Sequence, residues 1–394
     1  MPAHILVVGG GIGGLATALA LSRGHHRVDV FEQAAAFGEI GAGIQIGPNV
    51  TRRLHQLGLA EGLEAIAACP EALVVRSAGS GSELARLPLG DAMRQRYGAP
   101  YLCVHRADLH SLLLEAVRAQ GTGTLVTDAR IAQVETSDDL VCVSSSGARA
   151  WEGEALVCAD GLWSVARQQL EVPSAAEPPR ITGHTAWRGL AAQAALPQAL
   201  RRQRVDVWLG PRLHVVAYPV RGGDWLNVVV IAESAPAGDA RDWDQASSLD
   251  ALQKATGRSG SGVQALLEAV PGWRAWTLSD RPPLASAAEM AHGRVALVGD
   301  AAHPMVPYLA QGAGMAIEDA TALAEALGKG GAAEVPAAFA HYAEARWQRN
   351  ALVQARARRN GRVFHATGAA RLGRDLAMRT LGARLLDQRW LYGG

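Results

Sequence analysis

HILVVGGGIGGLATALALSRGHHRVDVFE, residues 4–32, decides the fold. His4–Val8 is a short apolar run of strand character that ends in Gly9-Gly10-Gly11. From Gly14 to about Arg23 the chain is rich in alanine and leucine, both strong helix formers. Arg27–Glu32 alternates charged and apolar residues, the period of a strand. Strand, glycine turn, helix and strand make a βαβ unit, the seed of a parallel sheet with helices on its faces.

The glycines of that turn have spacing with a mechanism. Gly9, Gly11 and Gly14 form G-x-G-x-x-G after a strand and at the opening of a helix. The first permits the tight turn, the second lets backbone approach a pyrophosphate, and the third lets helix and strand pack closely. The helix start adds amide donors and a positive dipole end. Glu32 closes the second strand, where a carboxylate accepts the hydroxyls of a ribose. The turn alone leaves NAD and FAD undecided.

Working outward, Ile5 to Leu21 carries no charge and has the length of a membrane span. No Lys or Arg precedes it, and glycines crowd its first half, so no membrane role is expected. Hydrophobic residues at 49% and charged residues at 19% describe a globular chain, and 394 residues suit two joined domains. A net charge of +1 without a basic tail gives no case for nucleic acid. Cys69, Cys103, Cys142 and Cys158 lack CxxC spacing and read as small buried residues in a reducing, cytoplasmic setting. No histidine has metal-type spacing, and no metal is expected.

Glycines cluster again at Gly38–Gly47, a loop that lets a ligand come close. Asn49 is placed to cap a helix over Val50–Leu57. A further helix is expected at Asp108–Ala119, a strand meander from Thr124 to Val143, and a strand at Trp151–Ala159. Between Thr182 and Ala232 the runs TAWRGL, RVDVWL, LHVVAYPV and WLNVVVIA indicate an inserted antiparallel sheet. RVALVG, at Arg294–Gly299, returns to the parallel-strand style, and the chain from Gly314 is mostly helical through about Gly368. The expected fold class is α/β: a Rossmann-like nucleotide-binding domain, an inserted antiparallel β-sheet substrate domain and a helical C-terminus. Its segments are 1–75, 101–180 and 286–394 for the first domain with the terminal helices, and 76–100 and 181–285 for the second.

Two more motifs carry chemistry. RVALVGD delivers Asp300 to a sheet edge, where its carboxylate can hold a sugar-alcohol hydroxyl. Gly312 and Gly314 then remove side chains where a flat ring can lie, and a helix starting near Ala313 points its amides at that ring. A reduced flavin carries negative charge that such an end stabilises. The third motif, CADGLWSVAR, places Asp160, Ser164 and Arg167 as D-G-x-x-S-x-x-R, with Arg167 able to pair with Asp160 or a phosphate.

These blocks, with FEQ at Phe31–Gln33, GAGIQIGPN at Gly41–Asn49, HRADL at His105–Leu109 and GDAAHP at Gly299–Pro304, resemble the single-component flavoprotein aromatic hydroxylases. PYLAQGAGMAIEDA and the terminal RWLYGG are similar to the salicylate hydroxylase and 3-hydroxybenzoate 6-hydroxylase branch. The resemblance implies FAD as cofactor, NADH or NADPH as transient reductant, and O2 as co-substrate. It implies that Gly9, Gly11, Gly14 and Glu32 hold the ADP half, Arg106 the pyrophosphate or ribityl region, and Gln33 another part of the cofactor. Asp300 would hold the ribityl chain, Gly312–Gly314 with Ala313 the ring, and Asp160 both cofactors, with Gly43 a further cofactor contact.

For the substrate, LHVVAYPV puts His214 and Tyr218 on one face of a strand, since even spacing preserves the face. By resemblance these two and Gln311 face a phenolic acid, with Tyr308 and Gln45 as further lining. A neutral imidazole at His214 can take or relay the phenolic proton and so make the ring electron-rich. Arg76 is a candidate for the substrate carboxylate; Arg188 and Arg212 are further cations.

The reaction expected is hydroxylation of a small hydroxybenzoate by way of a flavin hydroperoxide. Open alternatives are a heteroaromatic such as 6-hydroxynicotinate, a flavin oxidase or dehydrogenase, and a non-catalytic flavin-binding protein. A halogenase is disfavoured because W-x-W-x-I-P is absent and Trp273 and Trp276 are wrongly spaced. A homodimer is the expected assembly.

Overall fold

The structure is a computed structural model and describes residues 2–38, 41–170, 172–257 and 259–393. The opening unit forms as the sequence predicts: a strand at His4–Val8, a helix at Ile12–Arg23 and a strand at Arg27–Phe31. His4–Val8 is central in a six-stranded sheet, flanked in parallel by Arg27–Phe31 and Ala155–Cys158. Val295–Leu297 extends it beyond Ala155–Cys158, so the late Gly-Asp motif leaves the sheet two strands from the first glycine turn. Ile5, Leu6 and Val7 have no exposed surface, as expected for a parallel strand covered on both faces.

The second sheet has eight strands. Its order is Gln245–Ser247, Trp273–Asp280, Arg180–Ala192, Trp225–Glu233, Leu213–Val220, Val205–Gly210, Ala72–Ser77 and Glu83–Pro88. An early excursion of the chain thus completes a sheet built mostly from the later insertion, and it begins at Ala72, inside the expected first segment. The register places His184, His214, Val216, Tyr218, Asn227, Val229, Ile231 and Glu233 on one face. The opposite face carries Trp187, Trp208, Val215 and Val230, which pack into their own core.

Several expectations are corrected. Trp151–Ala159 is two strands: Ala150–Gly153 belongs to a three-stranded sheet, and Ala155–Cys158 to the central one. The helix after the glycine loop is Pro48–Gln56, with Gly47 at its N-cap. Asn49 lies inside it and turns its amide to other partners. Helix continues past Gly368, in Gly368–Leu381 and two short turns. Cys103 and Cys158 are buried, but Cys69 is exposed and Cys142 half-buried. No helix of the described residues is long and apolar enough to cross a membrane. The glycine loop Gly38–Gly47 is described apart from residues 39 and 40, which lie outside the described residues.

Candidate active site

The first glycine turn is built by close packing. Gly9 has φ of 107°, and a Cβ there would lie 2.3 Å from the Ala159 carbonyl oxygen. A Cβ at Gly14 would lie 1.8 Å from the Gly9 carbonyl oxygen, so only glycine lets the helix start against the strand end. Gly11 is the N-cap of Ile12–Arg23, and no side chain satisfies the first amides. Those donors remain available to a phosphate. The Glu32 carboxylate sits directly beside the turn: Oε2 accepts from Gly10 N at 2.9 Å and Oε1 from Ala34 N at 2.8 Å. Gln33 follows on the exposed surface.

The second glycine segment begins the helix packed against the first: a Cβ at Gly13 would lie 3.3 Å from Ala316 Cβ. Gly312–Leu327 is a 16-residue helix whose N-cap, Gln311, makes no side-chain cap. A Cβ at Gly312 would stand 4.0 Å from Asp300 Oδ1, so the carboxylate lies beside the uncapped helix start. Burial raises the Asp300 pKa, and His303 and Arg106 oppose that rise. The residue is nevertheless open to water. Ala313 and Gly312 are half-buried, and Gly314 is buried against Val50 and Gln311. Asp160 lies two residues past the end of the neighbouring strand Ala155–Cys158. Its Oδ2 accepts from Val165 N at 2.9 Å, and its buried Oδ1 has no protein partner.

Arg167 corrects the expected pairing. It meets neither Asp160 nor an open phosphate position. It is buried, donates to the Ala301 and Ala302 carbonyls at 3.2 and 2.8 Å, and pairs with Glu289 at 3.1 Å. It therefore staples the turn that carries Asp300. Two uncapped helix ends, a carboxylate beside each and an orphaned Asp160 oxygen suit a dinucleotide with a flat redox ring. The donor set fits FAD.

The substrate-side residues fall into three groups. His214 is buried, with Nδ1 2.9 Å from His365 Nε2. The Tyr308 ring is 5.3 Å from it and the Phe364 ring 5.4 Å. The Tyr308 hydroxyl is buried without a partner. Burial, with His365 and His184 as neighbours, pulls the His214 pKa well below that of free imidazole. Its ring is neutral at neutral pH.

Tyr218 lies farther along the same sheet face. Gly43 is packed against it, because a Cβ there would come within 2.5 Å of Tyr218 Cε2. Gly43 N donates to Asn227 Oδ1 at 2.8 Å, and Gln45 accepts from Tyr101 and also bonds Tyr218. Gln311 forms the third group with Asn49: its Oε1 accepts from Asn49 Nδ2 at 3.1 Å, while Asn49 also donates to Glu318 at 2.7 Å.

Arg76 does not join these groups. It pairs in register with Trp208, which puts it on the opposite face of the sheet from His214 and Tyr218. Its Nε binds Asp206 at 3.1 Å. Arg188 is buried and paired with Asp244, and Arg212 is exposed beside Glu233.

Sequence reasoning missed His184 and His365. His184 lies on the pocket face of its strand, and its ring is 5.0 Å from that of His365. Ring nitrogens of both and an oxygen of Glu233 lie within 4.8 Å of one another; we assign no ion to them. His365 carries no local signal, since only the long helix brings it to the sheet.

A family model described as an FAD binding domain matches residues 2–364. The chain is 39% identical to 3-hydroxybenzoate 6-hydroxylase of Polaromonas naphthalenivorans, over 99% of this chain and 95% of that protein. It is also 39% identical to a 3-amino-4-hydroxybenzoate 2-monooxygenase of Streptomyces platensis, over 99% of this chain and 96% of that one. A solved salicylate hydroxylase substrate complex superposes with a TM-score of 0.82 at 26% identity, covering 100% of this chain and 96% of that one. The chain, with its two glycine-started helices packed side by side, belongs to the FAD-binding, single-component flavoprotein aromatic hydroxylases.

Proposed function

We propose that this protein hydroxylates a small phenolic acid, a hydroxybenzoate such as 3-hydroxybenzoate or salicylate, with NADH or NADPH as reductant. The observation that carries this reading is the neutral, buried His214 beside the orphaned Tyr308 hydroxyl, on the sheet face that meets the Gly43 loop. A buried hydroxyl without a partner is costly unless a ligand completes it. Bound FAD would accept hydride from the nicotinamide and activate O2 towards an electron-rich ring.

The chain's own groups prepare that ring. Gly9, Gly11, Gly14, Glu32, Gln33, Arg106, Asp160, Asp300 and Gly312–Gly314 hold the cofactor in this reading. His214 accepts the phenolic proton at the nitrogen not bonded to His365. Tyr308 donates to a substrate oxygen, and Gln311 offers its amide NH2, its carbonyl being occupied by Asn49. Tyr218 and Gln45 close the far end. Arg76 is left out because of the face it occupies.

A homodimer belongs to the same reading. Leu372, Leu376, Leu381 and Leu385 are exposed on the terminal helices and favour burial against a second copy. A cytoplasmic workplace fits a nicotinamide reductant. The test is a panel of hydroxybenzoates with 6-hydroxynicotinate, scored by stimulated NADH and NADPH oxidation and by product mass. A mass gain of one oxygen with a hydroxybenzoate supports the reading. NADH oxidation yielding only peroxide with every compound would reassign the chain to the oxidases.

A further inference from the structure

His214 has no route to water of its own. It is 2% exposed and walled by Tyr308 and Phe364. A proton taken from a buried phenol must nevertheless leave, or the imidazolium stays in a site that disfavours charge. On one side the wall is polar. His365 Nε2 meets His214 Nδ1 at 2.9 Å, and the buried His365 Nδ1 has no partner. The His184 Nδ1 is likewise buried without a partner. Glu233 pairs with His184 directly across neighbouring strands, and its carboxylate is 45% exposed. The series runs from buried, through half-buried, to exposed.

We propose that His365 and His184 form a proton relay that carries the phenolic proton from His214 to Glu233 and solvent. This rests on the hydroxylase reading above and extends it to two residues that do not touch the substrate. The phenol O–H breaks, and its proton goes to His214 Nε2. The proton on His214 Nδ1 passes to His365 Nε2, and that on His365 Nδ1 leaves towards His184. His184 takes that proton at Nδ1 and gives up the one on its Nε2 to the Glu233 carboxylate, which releases it to bulk water; each imidazole ends as its other tautomer, so charge and atoms balance and no imidazolium accumulates. The 4.8 Å span among His365, His184 and Glu233 is one that a single bridging water covers.

The relay is held in place by the backbone. Arg212 N donates to the His365 carbonyl at 3.1 Å. Arg374 donates to the Val363 and Phe364 carbonyls and so fixes the helix end that carries His365. The charged groups facing the relay are Arg374, Arg212 and Glu233, with Asp280 beyond Tyr308.

The test is stopped-flow proton release to a pH indicator when the flavin-loaded enzyme binds its hydroxybenzoate without O2. His365→Gln keeps a hydrogen bond to His214 but cannot pass a proton on. It should slow release about tenfold, raise the solvent isotope effect on hydroxylation, and respond to added imidazole. Glu233→Gln, at an exposed position, should shift the pH profile of release with substrate affinity unchanged. Wild-type release rates and isotope effects in both variants would overturn the relay while leaving hydroxylation intact. A wild-type enzyme that hydroxylates no hydroxybenzoate would instead sink the functional reading beneath it.

Discussion

His214 and Arg167 show how burial assigns work to single side chains. Burial depresses the His214 pKa, with the nearby His365 and His184 adding to the effect, so the ring accepts a proton only from a neighbour delivered to it. His214→Ala is therefore expected to lower the hydroxylation rate about a hundredfold, with NADH oxidation diverted to peroxide. Product and peroxide assayed together decide it; an unchanged ratio would remove His214 from the chemistry. Arg167 is 2% exposed and ties Glu289 to the turn bearing Asp300. Arg167→Met leaves Glu289 buried without its cation, at a cost of about 3 kcal/mol. The expected result is a lower melting temperature and faster loss of FAD on dilution. Wild-type flavin retention would show that the staple does not reach the cofactor.

At the scale of elements, the strand Gly43–Ile46 pairs with Leu102–His105 in a small sheet of its own and packs against the eight-stranded sheet. Gly43 meets both Tyr218 and Asn227 from the large sheet, so its missing side chain sets how closely the sheet roofs the cleft. Gly43→Val would force the sheet outward; overpacking of this kind costs about 1–3 kcal/mol. Substrate affinity should weaken more than flavin affinity, and titrations of each ligand separate the two effects. Equal losses would place Gly43 in the cofactor cradle alone. The βαβ unit was legible because its signals are local: a glycine turn, a helix-forming run and an alternating strand. The pairing of His214 with Tyr218 on one face followed from strand period alone. Arg76 was misplaced because which face a residue takes depends on a partner strand more than 100 residues away, at Val205–Gly210. Arg167 and Asn49 escaped for a related reason. Their partners, Glu289 and Glu318, are brought to them only by the closed fold.

Across the whole molecule, one buried polar network ties the helix Gly312–Leu327 and the Gly-Asp turn to the long C-terminal helix. Arg346, on Val335–Phe364, pairs with Glu318 at 2.8 Å and Asp319 at 2.9 Å, both on Gly312–Leu327. Asp319 also accepts from Gly299 N at 3.1 Å and meets His303, so the same carboxylate anchors the Gly-Asp turn. Burial alone would raise both carboxyl pKa values. For Asp319 the charges of His303 and Arg346 win, and for Glu318 the bonds from Arg349 and the charge of Arg346, so each is held below its ordinary value. The sign follows: the unfolded chain binds these protons first as pH falls. The stabilisation is complete above about pH 5 and drains away as pH drops below about 4. Asp319→Asn leaves Arg346 half-paired and should cost about 3–5 kcal/mol at neutral pH. Its melting temperature should also fall less steeply than the wild type's between pH 7 and about pH 3.5, because one of the titrating carboxylates is gone. Thermal melts of both proteins across that range decide the matter: parallel slopes would show that acid sensitivity arises elsewhere, and an unchanged melting point at neutral pH would show that the network does not bear the load its burial implies.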